Sequence, residues 1–223
     1  ETDRSEPVWV MGGVRQVTAG LRHTCALTTD DRALCWGVGN RLGMGIDPNA
    51  IIRHPVEVYG GLRFRTITAG ESGTCALDFE GRAYCWGLGA NGILGDGTRE
   101  DRFVPTRVVG DHRFEQIDAG REHVCGIAEG GTAYCWGYNG YGQLGDGSTE
   151  TPDTPVPVVS DSSFVQIDAG YQHTCAITAG LRAFCWGSNL SGKLGDHSTV
   201  DRHVPVAVYG GHPYTWISAG YSH

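Results

Sequence analysis

Cysteine recurs in this chain at 25, 75, 125 and 175, and again at 35, 85, 135 and 185, a step of fifty residues each time. Trp36, Trp86, Trp136 and Trp186 keep the same step, each followed by glycine, and an Ala-Gly pair returns at 19, 69, 119, 169 and 219. So strict a period restricts the chain to one supersecondary unit written four times. Such a unit buries its apolar face only against its neighbours, so the copies must stack.

Within a period the punctuation is that of strands. Residues 62–110 read "LRFRTITAG", "GTCALDF", "EGRAYCWG", "LGANGILGDGTRED" and "RFVPTRVVG". Short β-branched or aromatic segments alternate with Gly, Asp and Pro, and no helical period runs through them. The "TCAL" and "AYCWG" segments are apolar on both faces, as in a sheet covered on both sides. About four strands per copy, repeated radially, predict an all-β chain: a β-propeller of four-stranded blades. The 223 residues hold about four and a half blades, at approximately 14–63, 64–113, 114–163 and 164–213, with a partial fifth at 214–223. We read 1–223 as a single propeller domain or a fragment of one. Thirty-five glycines serve the turns, and 40% apolar content sets disorder aside.

The hairpin inside each copy explains the cysteines. "FEGR" around Gly81 has the form of a type I turn followed by a left-handed residue. Gly131 and Asp31 suit that position, whereas Leu181 does not, so the fourth copy is expected to turn differently, through Gly180. If Thr28 pairs with Arg32, Cys25 lies directly opposite Cys35 on a rung without backbone hydrogen bonds. Cα atoms there stand about 4.5 Å apart, within the reach of a disulfide. Four intrablade disulfides follow: Cys25–Cys35, Cys75–Cys85, Cys125–Cys135 and Cys175–Cys185. Zinc is a weaker alternative, since its cysteine pairs are usually two to four residues apart. Disulfides at this density imply an oxidising compartment.

At this point the pattern "AG-x-x-H-T-x-A-L", continued by "W-G-x-N-x-x-G-x-L-G-D-G-T", resembles the repeat of the regulator of chromosome condensation. The third copy, "AGREHVCGIAEGGTAYCWGYNGYGQLGDGST" at 119–148, fits it best. The resemblance implies a seven-bladed ring, and the paired cysteines suit an exported branch. Two departures stand out: the first copy reads "LGMGIDPN" for "LGDGT", and Gly73 takes a position that is His in other copies. Seven blades at this period need about 350 residues, so the chain is expected to be part of a longer propeller. A four-bladed ring closed by "WISAG", or a half-ring completed by a second chain, are the alternatives.

Other motifs have plain readings. His23, His123, His173 and His223 share one position per copy and could converge on a metal. Gly73 interrupts the set, so they are expected to tie each blade to nearby backbone. The Asp96-Gly97-Thr98, Asp146-Gly147-Ser148 and Asp196-His197-Ser198 turns lack the ligand alternation of a calcium loop and suit Asx turns. No nucleophile elbow, metalloprotease helix or phosphate loop occurs. No metal and no cofactor is expected, and no enzyme. Asn189-Leu190-Ser191 is a glycosylation sequon.

Twenty-five Asp and Glu against 17 Lys and Arg leave a formal charge of −8. That balance disfavours nucleic acid and anionic membranes as partners. No apolar run approaches the ~18 residues of a membrane helix, and "ETDRSEP" carries no leader pattern. The expected function is an exported, non-enzymatic, protein-binding scaffold with an inhibitor-like, adhesive or surface-assembly role. Its partner is another protein, self-association included. The slots that vary while the frame repeats nominate Arg22, Arg41, Arg121, Glu122, Tyr138, Tyr141 and Tyr171 for contact. Two alternatives stand beside it. One is an intracellular nucleotide-exchange and chromatin regulator like the family's namesake. The other is a carbohydrate-directed propeller, for which Trp9, Tyr59 and Tyr209 are the aromatic candidates.

Overall fold

The computed structural model describes residues 6, 8–45, 47, 49–221 and 223. Four four-stranded antiparallel sheets follow one another along the chain, each a simple meander. The first holds β1 (Val14–Ala19), β2 (His23–Thr28), β3 (Ala33–Val38) and β4 (Ile51–Glu57). The second holds β5 (Thr66–Ala69), β6 (Gly73–Leu77), β7 (Ala83–Gly87) and β8 (Arg102–Arg107). The third runs through β9 (Phe114–Ala119), β10 (His123–Ala128), β11 (Ala133–Gly137) and a short β12 (Val156–Pro157). The fourth runs through β13 (Phe164–Ala169), β14 (His173–Thr178), β15 (Ala183–Gly187) and β16 (Arg202–Ala207).

The innermost strands β1, β5, β9 and β13 pack side by side in sequence order, which defines the propeller axis. The first and fourth sheets share no substantial packing, so the four blades form an open arc and not a closed four-bladed ring. Middle strands such as β6 and β10 are buried along their whole length, as two covered faces require. The outermost strands carry Pro55, Pro105, Pro157 and Pro205. Proline lacks an N–H, so these exposed edges are blunted against pairing with other chains.

Cys25 faces Cys35, Cys75 faces Cys85, Cys125 faces Cys135 and Cys175 faces Cys185 across the central hairpins. All four pairs are disulfide-bonded, with Cα atoms 4.1 Å apart, and no cysteine is free. The hairpin turns share one left-handed position in all four blades, and in the third Gly130 takes positive φ as well. Asp31, Gly81, Gly131 and Leu181 each take positive φ, from 60° to 84°. Leu181 donates its N–H to Thr178 O at 2.9 Å, as Asp31 does to Thr28 O at 3.0 Å. The fourth copy therefore does not turn through Gly180: the ladder on either side holds Leu181 in the left-handed region despite its side chain.

Between blades the core is built on tryptophan. Trp86, Trp136 and Trp186 are fully buried, each against the blade before it. A Cβ on Gly43, Gly95 or Gly145 would sit 2.7 Å from the indole nitrogen of the next blade's tryptophan. The glycine after "L" in each "LG" motif is thus the seat of the neighbouring indole. Trp36, in the first blade, is only half-buried.

Candidate functional site at the axial mouth

The repeated Ala-Gly pairs end the innermost strands where successive blades approach most closely. A Cβ on Gly20 would collide with Gly70 O and the His23 ring; one on Gly70 would strike Gly120 O, and one on Gly120 would strike Gly170 O. Only glycine fits there. The floor so formed is shallow and small, about 270 Å³, and its rim takes one residue from each turn: Leu21, Glu71, Arg121, Tyr171 and Tyr221.

Four of these rim residues, Glu71 to Tyr221, touch in series. Arg121 Nε lies 3.2 Å from Glu71 Oε2, and its guanidinium stands 4.3 Å over the Tyr171 ring. Tyr171 packs on Tyr221 with ring centres 3.8 Å apart and planes tilted by 37°. Backbone bonds hold the row in step, from Arg121 N–H to Gly170 O at 3.3 Å and from Tyr171 N–H to Gly220 O at 3.1 Å. Glu71 and Tyr221 were not among the nominated contacts, although their slots vary between copies as the nominated ones do.

The seven nominated residues all lie at this end of the blades. Arg22, Arg121, Glu122 and Tyr171 occupy the turns between first and second strands, while Arg41, Tyr138 and Tyr141 occupy the loops after the third strands. The two sets are laced together: Val38 N–H donates to Arg22 O at 3.0 Å and Tyr138 N–H to Glu122 O at 2.8 Å. Tyr138 and Tyr141 pack edge to face, 6.2 Å between ring centres. Arg22 is exposed; Arg121, Glu122, Tyr138, Tyr141 and Tyr171 are half-buried. Arg41, expected as a contact residue, is not exposed. It is buried, and its Nε donates to Glu71 O at 2.9 Å while Nη1 donates to Asn40 Oδ1 at 2.7 Å, so its job includes fixing this loop to the next turn.

Below the mouth the repeated histidines tie blades together. His23 Nε2 lies 2.7 Å from Thr74 Oγ1, and His123 Nε2 2.9 Å from Thr174 Oγ1. Each threonine hydroxyl donates onward, to Arg41 O or Gln143 O, so the histidine Nε2–H must be the donor to threonine. The anchor is a side chain of the next blade, not the nearby backbone expected from sequence. Where Gly73 replaces His, the threonine of the following blade is replaced too, by Val124. Burial keeps these rings neutral: His23 is held down at about 4 by burial and by Arg41, and His123 at about 3 by burial and by His173.

Thr18, Thr68, Asp118 and Asp168 each accept the N–H of the alanine one blade on, Ala69, Ala119, Ala169 and Ala219 in turn, at 2.8–3.2 Å. Two of these oxygens are carboxylates. Burial and the neighbouring Asp168 charge push Asp118 up to about 6. The change from "TAG" to "DAG" was the available signal: a charged residue placed where an inward strand position is otherwise neutral.

The remaining candidates do not gather. Asp96 accepts from Thr98 and Arg102, and Asp196 from Ser198, Arg202 and Asn189. Burial opposes ionisation of Asp196, yet those hydrogen bonds together hold it at about 2. Among the described residues no group of three or more His, Cys, Asp or Glu is placed to hold a metal ion. Asn189 is fully buried; its amide donates to Asp196 Oδ1 at 3.0 Å and Ser198 O at 3.1 Å, which leaves the sequon without an accessible acceptor. Trp9, Tyr59 and Tyr209 are exposed and do not line the axial mouth. No described helix is long and apolar enough to cross a membrane.

The family model described as the RCC1-like domain matches residues 1–223. The chain belongs to the RCC1-like domain family. Among solved structures this RCC1-like chain is similar to human WBSCR16, at 23% identity and a TM-score of 0.83, covering 93% of this chain and 56% of that one. It is similar to Prp20p from Saccharomyces cerevisiae, at 21% identity and a TM-score of 0.82, covering 96% and 56%. A looser likeness is to the ectodomain of the Physcomitrella patens receptor kinase CR4, at 22% identity and a TM-score of 0.57, covering 93% and 45%. At these identities the likeness is one of fold, and the chain spans about half the length of each of these structures. Among curated proteins nothing matches. The four disulfides fit a disulfide-containing branch, of a kind more typical of proteins outside the cytosol.

Proposed function

We propose that this chain is an exported, non-enzymatic propeller that binds another protein through the face carrying the axial mouth. The observation that carries the reading is the meeting of the variable turn residues in one contiguous row, Glu71 to Arg121 to Tyr171 to Tyr221, on a floor of backbone. A rigid stapled scaffold with variation confined to loops is suited to recognition. Tyrosine and arginine are the side chains that interface hot spots favour. Export rests on the four disulfides, which a reducing cytosol would not maintain. The test is affinity capture from the native source using the disulfide-bonded chain, followed by the same capture with Tyr171→Ala and Arg121→Ala. A partner lost with either variant, each still oxidised and folded, supports the reading; capture unaffected by both overturns the site.

A second reading draws on Prp20p, a neighbour whose structure is described with its binding properties to Gsp1p and histones. On that reading the chain is an intracellular exchange factor. A GTPase nucleotide-exchange assay separates the two, with accelerated release supporting the second.

A further inference from the structure

Charges of both signs meet around the axial mouth. Acidic residues outnumber basic ones by 25 to 17 overall. Arg121 and Glu71 line the floor; beside it stand Arg41, near Arg22, Glu71 and Asp101, and Lys193, near Tyr221 and Asp201. Lys193 is the sole lysine of the sequence. It stands beside Tyr221 and close to Asp201, whose Oδ1 already accepts Asn189 N–H at 2.7 Å.

Two of these cations have no bonded counter-ion. Arg121 has Glu71, but Arg22 and Lys193 make no hydrogen bond or ion pair with any described residue. Arg41 is held in place by a carbonyl and an amide oxygen, with the Glu71 and Asp101 carboxylates nearby. Cations around a shallow floor favour an extended chain with carboxylates over a bulky knob, and the packed Tyr171–Tyr221 pair offers an apolar bed for the chain to lie on.

We propose that the axial mouth takes an extended, acidic segment of the partner protein, its carboxylates meeting Arg22 and Lys193 and its backbone lying over the tyrosine pair. This rests on the protein-binding reading above and gives the partner a chemical class. Two elements divide the work: the cations speed and select the encounter, and the aromatic rim retains it.

The test is selection of the intact, disulfide-bonded chain against a displayed library of random peptides, followed by anisotropy titration of the winners. The double variant Arg22→Gln/Lys193→Gln changes side chains outside the core, and its fold is checked by circular dichroism and intact disulfides. Asp- and Glu-rich winners are expected, with affinity falling about tenfold or more in the double variant and weakening when NaCl rises from about 50 to about 300 mM. Acidic winners indifferent to the double variant overturn the proposal. Basic or apolar winners that Tyr171→Ala abolishes overturn it also, while leaving the mouth as a protein-binding site. A selection that enriches nothing sinks both readings together.

Discussion

His123 and Thr174 meet across the seam between the third and fourth blades, 2.9 Å from nitrogen to oxygen, with neither side chain open to solvent. Thr174 hands its own proton to Gln143 O at 2.8 Å, so three segments from two blades close on one hydroxyl. Thr174→Val removes the hydroxyl at nearly constant volume and leaves the His123 donor unpaired. We expect a loss of about 1–3 kcal/mol in stability by urea titration. A change below a few tenths would mean that water replaces the bond.

The disulfides are expected to be structural. Each closes a loop spanning ten residues. Replacing one pair, Cys125→Ala with Cys135→Ala, should cost about 2–3 kcal/mol, partly through the entropy returned to the unfolded chain. Intact mass before and after denaturing reduction checks the bonding itself: two hydrogens are gained per bridge. An unchanged mass would remove the argument for export.

Leu181 carries an avoidable conformational cost. At φ 60° its Cβ crowds the following carbonyl, in a turn where other blades place Gly81 and Gly131. Its side chain is 40% exposed, so little packing is lost with it. Leu181→Gly is therefore expected to raise stability by about 1 kcal/mol. Destabilisation would show that its contacts outweigh the strain.

Stability should respond to pH in two opposed ways. Asp118 titrates near 6 in the folded chain, above its ordinary 3.8, so its contribution is complete below about pH 4 and is lost as pH rises through 6. His23 and His123 titrate near 4 and 3, below their ordinary 6.5; their contribution is present above pH 6.5 and lost as pH falls. Asp118→Asn should thus stabilise the chain at pH 8 relative to pH 4. His123→Gln should flatten the decline between pH 6.5 and 4. Denaturant midpoints across pH read both, and parallel curves for variant and parent would refute the assignment.

Asn189 is expected to stay unmodified even in a glycosylating secretory host. Its amide is spent inside the loop on Asp196 and Ser198, and Leu194 N–H donates to its Oδ1 at 3.0 Å. Mass spectrometry of the tryptic peptide checks this. A glycan found there would require the loop to be modified before it folds.

Much of the architecture was legible because it is periodic. The fifty-residue step located the blades, and the ten-residue spacing of cysteines within a two-stranded hairpin left one sensible pairing, since partners across an antiparallel ladder are fixed by the turn. Local rules read less well where the surroundings overrode them. Leu181 enters the left-handed region because the strands on both sides are already in register. Arg41 leaves the surface because the next blade offers it a carbonyl.

What the linear order could not convey was adjacency between blades. The pairing of Gly73 with Val124, and of His with Thr in the neighbouring seams, joins residues about fifty positions apart, and nothing local in either segment announces its partner. The same holds for the row from Glu71 to Tyr221, whose members are equivalent in the repeat and become neighbours only when blades pack around an axis. Short-range chemistry chose the strands, turns and staples, since these depend on residues a few positions apart. Tertiary packing chose which charges and rings converge, since radial stacking alone sets the distance between one copy and the next.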